Sequence, residues 1–528
     1  MKSTLIPSRL ASRQNAVSIF FEAMDDHEGR IDLCKKALTV VVLGASGDLS
    51  RKKTFPALFE LSAAGLLPPH ANIVGYSRSE MTHEAFRKKL AEYLNVSDKS
   101  DGKDMRDEFL SHCFYHQGAY ASVDDVQTLA DFCKELEADR SDAGANRIFY
   151  MALPPSVFGK IGKSIKEAAM SPTGWSRVIV EKPFGRDLES SNELAAELGS
   201  LFSEEQIYRI DHYLGKAMVQ NLMILRFANS IYEPLWNKRH ISCFMITFKE
   251  PHGVEGRGSY FDSYGILRDV LVNHLLQIFS LLAMEAPKST DSEHVRDAKV
   301  AVLKQVCEIK DSDVVIGQYE GWEKRETARR IIQDGYVDDE SVPKDSKTPT
   351  FASLVLHVDN DRWRGVPFIL KCGKGLNERK AEVRVQFKRP DCSVNIYPDS
   401  PINELVMRVQ PDEAVYCKMN NKGPGLRDQI RETELDMTYR KSFTNGRVPD
   451  AYERLIYDVM LGHHEHFVRT DELEAAWKIF TPLLHRIDDG QLPLQNYAFG
   501  TRGPQVADDL ARSYGFQRSE TYQWKAKK

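Results

Sequence analysis

The sequence predicts a protein of α/β plus α+β class: an N-terminal Rossmann-like domain on a parallel sheet, followed by a large, mainly antiparallel sheet domain with helices on one face. Three observations predict it. Up to about residue 210, short β-branched runs alternate with helical periodicity, the pattern of a doubly wound parallel sheet. From about residue 350 to 420, strand-like runs follow one another with short turns and few helices, the pattern of antiparallel pairing. A length of 528 residues with 42% hydrophobic content exceeds one ordinary domain and supplies two sizeable cores. The expected division is a flexible extension over 1–36, the Rossmann-like domain over 37–210 and the α+β domain over 211–528.

The extension carries Arg9 and Arg13 but also Asp25, Asp26 and Glu28, and no apolar stretch of a secretory signal; the acidic residues count against a transit role. Leu38–Leu43 is a continuous β-branched run of the kind buried on both faces of a parallel sheet. Gly44-Ala45-Ser46-Gly47-Asp48-Leu49 follows it and leads into a helical run over 54–61. This spacing lets backbone N–H groups reach a pyrophosphate at a helix start, although it is not the GxGxxG pattern. A plain glycine turn would read the same way. A second strand, 72–76, ends in Ser77-Arg78-Ser79. An acidic residue there would read the ribose hydroxyls of NAD; Arg78 suits the 2′-phosphate of NADP. Further strands are expected at 147–153 and 177–180, with helices at 82–94, 123–137 and 156–170. The last strand runs into Glu181-Lys182-Pro183, where Lys182 at a carboxyl-terminal strand edge can reach both cofactor and substrate.

Arg209-Ile-Asp-His-Tyr-Leu-Gly-Lys216 packs a carboxylate, an imidazole, a phenol and an ammonium between a strand, 207–210, and a helix, 218–227. His212, Tyr213 and Lys216 offer several donors to the oxygens of a phosphate, which leaves Asp211 for another task. Read alone, the segment is equally a helix cap beside a solvated Lys. After a strand at 241–248, the run 255–262 reads as a turn. A helix then spans 265–284, apolar nearly all round and hence buried, yet holding Arg268, Asp269, Asn273 and His274. His274 suits a general base that takes a hydroxyl proton near neutral pH. At about 3.6 residues per turn, Asp269 points roughly 140° away from it. Asp211 is therefore the expected partner carboxylate, and Asp269 is left to grip substrate hydroxyls. Strands are expected at 351–358, 367–372, 382–387, 404–410 and 414–419, a loop at 340–349, and two C-terminal helices at 451–468 and 472–487 with solvated charges.

Composition narrows the classes. A net charge of −5 argues against nucleic acid or an anionic membrane as the main partner. Eight scattered cysteines without CxxC pairs fit neither a zinc site nor a dense disulfide framework and point to a reducing compartment; no metal is expected. No run is expected to reach the roughly 20 apolar residues of a membrane span.

Six blocks in order, 44–49, 181–185, 209–216, Phe248-Lys-Glu-Pro251, Arg268-Asp-Val-Leu-Val-Asn-His274 and Lys371-Cys-Gly-Lys-Gly-Leu-Asn-Glu-Arg-Lys380, together resemble the glucose-6-phosphate dehydrogenase family over about residues 38–525. The resemblance implies oxidation of D-glucose 6-phosphate to 6-phospho-D-glucono-1,5-lactone with NADP reduced, the first step of the pentose phosphate pathway. It implies His274 as base and Asp211 as its partner. His212, Tyr213, Lys216 and Lys374 would bind the sugar phosphate, Glu250, Asp269, Arg379 and Gln410 the rest of the substrate, and Lys182 both ligands. Gly44, Ala45, Ser46, Gly47, Asp48, Leu49, Ser50 and Arg51, with Arg78 and Tyr150, would hold NADP. Some members bind a second, structural NADP; the matching positions are Lys380, Arg384, Arg408, Tyr416, Lys418, Asp436 and Trp524. Lys371 stands where those members usually carry Arg, and it cannot reproduce bidentate or stacked guanidinium contacts. The family implies a homodimer or homotetramer formed through the sheet domain. The expected location is cytoplasmic, with an organellar pool as the alternative. Two other classes share these elements: a dinucleotide or sugar-phosphate sensor without turnover, and a dehydrogenase of an unphosphorylated sugar.

Overall fold

The computed structural model describes residues 37–68, 71–94, 100–138, 144–326, 329–390, 396–426, 429–438 and 447–518. The expected extension over 1–36, together with Cys392 and Trp524, lies outside them. The chain divides into two compact units, one of Met1–Gly185, Asn192–Gly215 and Gly446–Thr470, the other of Arg186–Ser191, Lys216–Asn445 and Asp471–Lys528.

The first unit is built on six strands: β1 Ala37–Leu43, β2 Asn72–Ser77, β3 Cys113–Gln117, β4 Ala145–Met151, β5 Ser176–Glu181 and β6 Ile207–Ile210. Every pairing is parallel and the order is β3-β2-β1-β4-β5-β6, the doubly wound arrangement that the alternating pattern predicts. β1, β2 and β4 are buried at every position, which is why their sequences read as continuous apolar runs. Arg147 on β4 is tolerated there because both ends of its fork meet Glu137, at 2.9 and 2.8 Å, and its remaining nitrogen donates to the Ala169 carbonyl. β3 escaped the sequence reading: its residues alternate between buried and half-exposed and close on a polar His-Gln pair. A late helix, Ala451–Leu461, joins this core, with Leu455, Ile456 and Val459 in one apolar cluster with Phe55, Leu58 and Phe59. It stops seven residues short of the expected end because Gly462 adopts φ +90°, a left-handed cap.

The second unit carries β7 Ile241–Lys249, β8 Val314–Glu320, β9 Trp322–Glu326, β10 Arg329–Gln333, β11 Phe351–Leu356, β12 Phe368–Gly373, β13 Lys380–Phe387, β14 Glu404–Gln410, β15 Ala414–Lys422, β16 Ile430–Thr438 and β17 Leu494–Ala498. Among the described residues β9 and β10 pair with each other, and the rest form one sheet in the order β16-β15-β14-β13-β7-β12-β11-β8-β17. The sheet is mainly antiparallel, with parallel pairings at β7–β12 and β8–β17. The edge strands β16 and β17 were not legible, since an edge keeps a wet face and so loses the apolar run.

The expected turn at 255–262 is helical from Gly258 onward, a correction to the composition-based reading: burial of Phe261 and Ile266 outweighs the weak helix propensity of Gly258 and Ser259. The helix kinks at Gly265, where φ is +67°, continues as a π-helix over Leu267–Leu275, and resumes as α-helix over Leu276–Ala283. Contrary to the expectation, this 26-residue run is long and apolar enough for a membrane span, but 83% of its most apolar window is buried inside the protein, as in a core helix. One charge of the C-terminal helix Thr470–Asp488 departs from the reading that its charges are solvated. Glu472 is buried and lies 2.8 Å from the equally buried Lys299, and Gln277 donates to it at 2.8 Å.

Candidate active site

The carboxyl ends of the parallel strands gather the predicted residues of the first unit. After β1, Gly44 has φ +82°, and a Cβ there would stand 2.3 Å from the Ala152 carbonyl oxygen, so only glycine fits the turn. The Gly44 and Ala45 N–H groups donate to the Tyr76 carbonyl, and Gly47 N–H and Ser50 Oγ donate to the Gly44 carbonyl at 2.9 Å each. Ser46 and Asp48 are exposed, and the chain turns helical at Asp48. Arg51 and Lys52 meet Asp48 at 2.7 and 3.0 Å and hold its carboxyl below the usual carboxylate range, the lysine contributing most. After β2, Arg78 is exposed and its guanidinium lies 5.7 Å from the Tyr120 ring centre, while Gln117 donates to the Arg78 carbonyl.

Near the end of β4, Tyr150 is wholly buried and its hydroxyl donates to Glu181 at 2.5 Å. Burial, and then the Glu181 charge, push the Tyr150 phenol well above its ordinary value. Glu181 closes β5 and is itself buried; desolvation lifts its carboxyl to about 7 against the opposing pull of Tyr150 and Lys182. Lys182 follows it, half-buried, joined to Pro183 by a cis bond. The central stretch forms the predicted strand-to-helix corner, between β6 and the helix Ala217–Phe227. Asp211 is 1% exposed and accepts the Tyr213 N–H at 3.0 Å. The His212 ring lies nearly parallel to Tyr452, with centres 5.9 Å apart. Tyr213 is buried, and at Gly215 a Cβ would fall 2.4 Å from the Ala451 carbonyl oxygen, so the corner packs tightly on the late helix.

The second unit brings five predicted substrate residues together in a polar group and a pair. Lys374, on the turn after β12, lies 2.6 Å from Glu250 at the end of β7 and 3.8 Å from Asp269, with its ammonium 5.2 Å from the Phe261 ring centre. Backbone bonds fix that meeting: Glu250 N–H donates to Gly373 and Leu376 N–H to Glu250. Lys216 donates to Gln410 at 2.9 Å. Arg379 is exposed. His274 is 3% exposed inside the π-helical segment. In a π-helix hydrogen bonds run from i to i+5, so residues five apart are neighbours along the axis, and the angular reason for setting Asp269 apart from His274 does not hold.

Glu181 and Tyr452 were missed as members of the site region. The readable signal was a carboxylate directly after the apolar run Val178–Val180; Tyr452 left none, because it arrives from more than 200 residues downstream.

A separate cavity of about 970 Å³ in the second unit is lined by Lys249, Lys380, Arg384, Arg408, Lys418 and Arg502, among others, with Glu378, Glu382 and Asp508 between them. Lys371 lies in its wall, 2.9 Å from Asp508.

Two family models match the chain: the glucose-6-phosphate dehydrogenase NAD binding domain over residues 41–221 and the C-terminal domain of the same family over 223–525. A glucose-6-phosphate 1-dehydrogenase of Dictyostelium discoideum is 52% identical over 495 residues, covering 93% of this chain and 97% of that protein. The cytoplasmic glucose-6-phosphate 1-dehydrogenase 5 of Arabidopsis thaliana is 48% identical over 496 residues, covering 92% of this chain and 93% of that protein. A solved structure of glucose-6-phosphate dehydrogenase in complex with its substrate glucose-6-phosphate superposes with a TM-score of 0.87 at 45% identity, covering 92% of this chain and 99% of that one.

Proposed function

The chain belongs to the glucose-6-phosphate dehydrogenase family, and from this premise we propose that it converts D-glucose 6-phosphate to 6-phospho-D-glucono-1,5-lactone with NADP as oxidant, the first step of the pentose phosphate pathway. It is an oxidoreductase that oxidises glucose 6-phosphate with a nicotinamide dinucleotide. The observation that carries the finer reading is the half-buried polar constellation of the second unit: Lys374 between Glu250 and Asp269, Lys216 on Gln410, and a buried imidazole in an apolar helix.

His274 acts as general base and takes the proton of the anomeric hydroxyl while a hydride leaves the same carbon, so that the C–O bond becomes the lactone carbonyl. Asp211 orients the imidazole and stabilises its protonated form. His212, Tyr213, Lys216 and Lys374 hold the phosphate; Glu250, Asp269, Arg379 and Gln410 hold the sugar hydroxyls; Lys182 touches both ligands. The tight Gly44 turn, the exposed helix start at Ser46 and Asp48, and Arg51 beside them fit a dinucleotide pyrophosphate. Gly44 to Arg51, Arg78 and Tyr150 would hold NADP, which supplies the hydride acceptor when bound. Arg78 in place of an acidic residue supports NADP over NAD.

A second dinucleotide suits the cationic cavity of the sheet unit by size and charge, with Lys380, Arg384, Arg408 and Lys418 in its wall. Lys371, committed to Asp508, offers it a point charge and not a fork. We assign the first unit to the catalytic dinucleotide and the second to substrate binding and oligomerisation, and the cytoplasmic Arabidopsis relative supports a cytoplasmic location. The test is His274→Asn assayed with glucose 6-phosphate and NADP. Turnover should fall by about 10²–10⁴-fold while substrate binding changes little, because a base acts in the transition state. Equal losses in binding and turnover would remove His274 from the role.

A further inference from the structure

Glu181 has no part in the chemistry above, yet it sits at its centre within the first unit. It is 6% exposed at the carboxyl end of β5, immediately before Lys182, and it accepts the Tyr150 hydroxyl at 2.5 Å. Its β6 partner in the ladder is Ile210, so Glu181 and Asp211 close two adjacent parallel strands one position out of step. The groups that face it come from four places: Tyr150 from β4, Lys182 from its own strand end, Asp211 from the end of β6, and Tyr452 from the late helix. A buried carboxyl between a phenol and an ammonium is costly to ionise and is retained where its charge has a use.

We propose that Glu181 is a positioning residue for the dinucleotide: as a carboxylate it clamps the Tyr150 phenol and fixes the strand end that presents Lys182, and protonation loosens the clamp. The proposal rests on the reading that Tyr150 and Lys182 hold NADP. A charge-assisted O–H···O⁻ bond is roughly twice as strong as its neutral counterpart, so the clamped form is the ionised one. The sign follows. With the carboxyl lifted to about 7 by desolvation, the clamp is complete above that pH and fails as the pH falls through it. Tyr150 favours the charged form and Asp211 disfavours it.

The experiment measures the dissociation constant of NADP by titration calorimetry between about pH 5.5 and 8.5, beside infrared difference spectra of the protonated carboxyl stretch, in wild type, Glu181→Gln and Tyr150→Phe. In wild type, NADP should bind roughly tenfold more weakly at the acid end, and a carboxyl band should appear over the same range. Glu181→Gln should bind weakly at every pH and lack the band. Tyr150→Phe should flatten the binding profile and shift the band to higher pH, since a donor to the carboxylate is gone. A pH dependence that survives Glu181→Gln, or a wild-type band that Glu181→Gln does not remove, overturns the proposal. The band reports Glu181 without turnover, so a failure of the His274 assignment would leave it intact, whereas unchanged NADP affinity in Tyr150→Phe with the band still shifted would strike the cofactor reading itself.

Discussion

Under the proposed function, Arg78 is the single side chain that sets cofactor choice. It follows β2 directly, at the position proposed to read the ribose, and a guanidinium is the right shape for a 2′-phosphate and the wrong one for two free hydroxyls. Arg78→Ala should raise the Michaelis constant for NADP roughly tenfold or more and leave that for NAD nearly unchanged, as steady-state assays with each cofactor would record. Lys216 makes the matching test for substrate. In the proposed role its removal would delete one charge-assisted contact to the phosphate, worth about 1.5–3 kcal/mol, so Lys216→Ala should cut the preference for glucose 6-phosphate over glucose by roughly 10–100-fold. Both residues were legible because a cation next to a strand end needs no distant partner to be noticed. Glu181 was not: its interest comes from Tyr150, Asp211 and Tyr452, which only the fold brings near.

Among elements, the long interior helix departs most from its sequence pattern. Periodicity located its apolar length correctly but assumed one pitch throughout, whereas nine residues are π-helical, those holding Asp269 and His274. A wider turn is a common feature of functional segments, and periodicity cannot report it because an all-round apolar run has no phase. A buried ion pair ties neighbouring helices together: Lys299 on Ser292–Leu303 meets Glu472 on Thr470–Asp488, with Gln277 from Leu276–Ala283 on the same carboxylate. Lys299→Met strands a buried carboxylate and should cost about 3–5 kcal/mol, while Lys299→Met with Glu472→Leu should regain most of it. Thermal melts followed by circular dichroism would show a drop on the order of 10 °C for the single variant and a smaller one for the pair.

At the scale of the whole molecule, the sheet of the second unit ends in β16, with Leu435 61% and Met437 45% exposed beside Met419 of β15. The register sets Leu435 opposite Cys417 and Met437 opposite Val415, so these side chains share one face and form an apolar patch at the sheet edge. On the proposed oligomerisation of this unit a second copy of the chain would cover the patch, and Leu435→Lys should then shift the species seen in sedimentation velocity toward protomers. The sequence by itself determined the two fold classes and the glycine turn after β1, and it named the candidate acids, bases and cations, because strand runs and local corners are set by neighbours along the chain. Only the tertiary structure decided the meeting of Lys374 with Glu250 and Asp269, the burial of Glu181 against Tyr150, the π-helical pitch around His274 and the docking of the late helix on the first core. Each of those depends on groups tens to hundreds of residues apart, or on which of several surfaces an apolar stretch buries, and packing settles such choices where periodicity is silent.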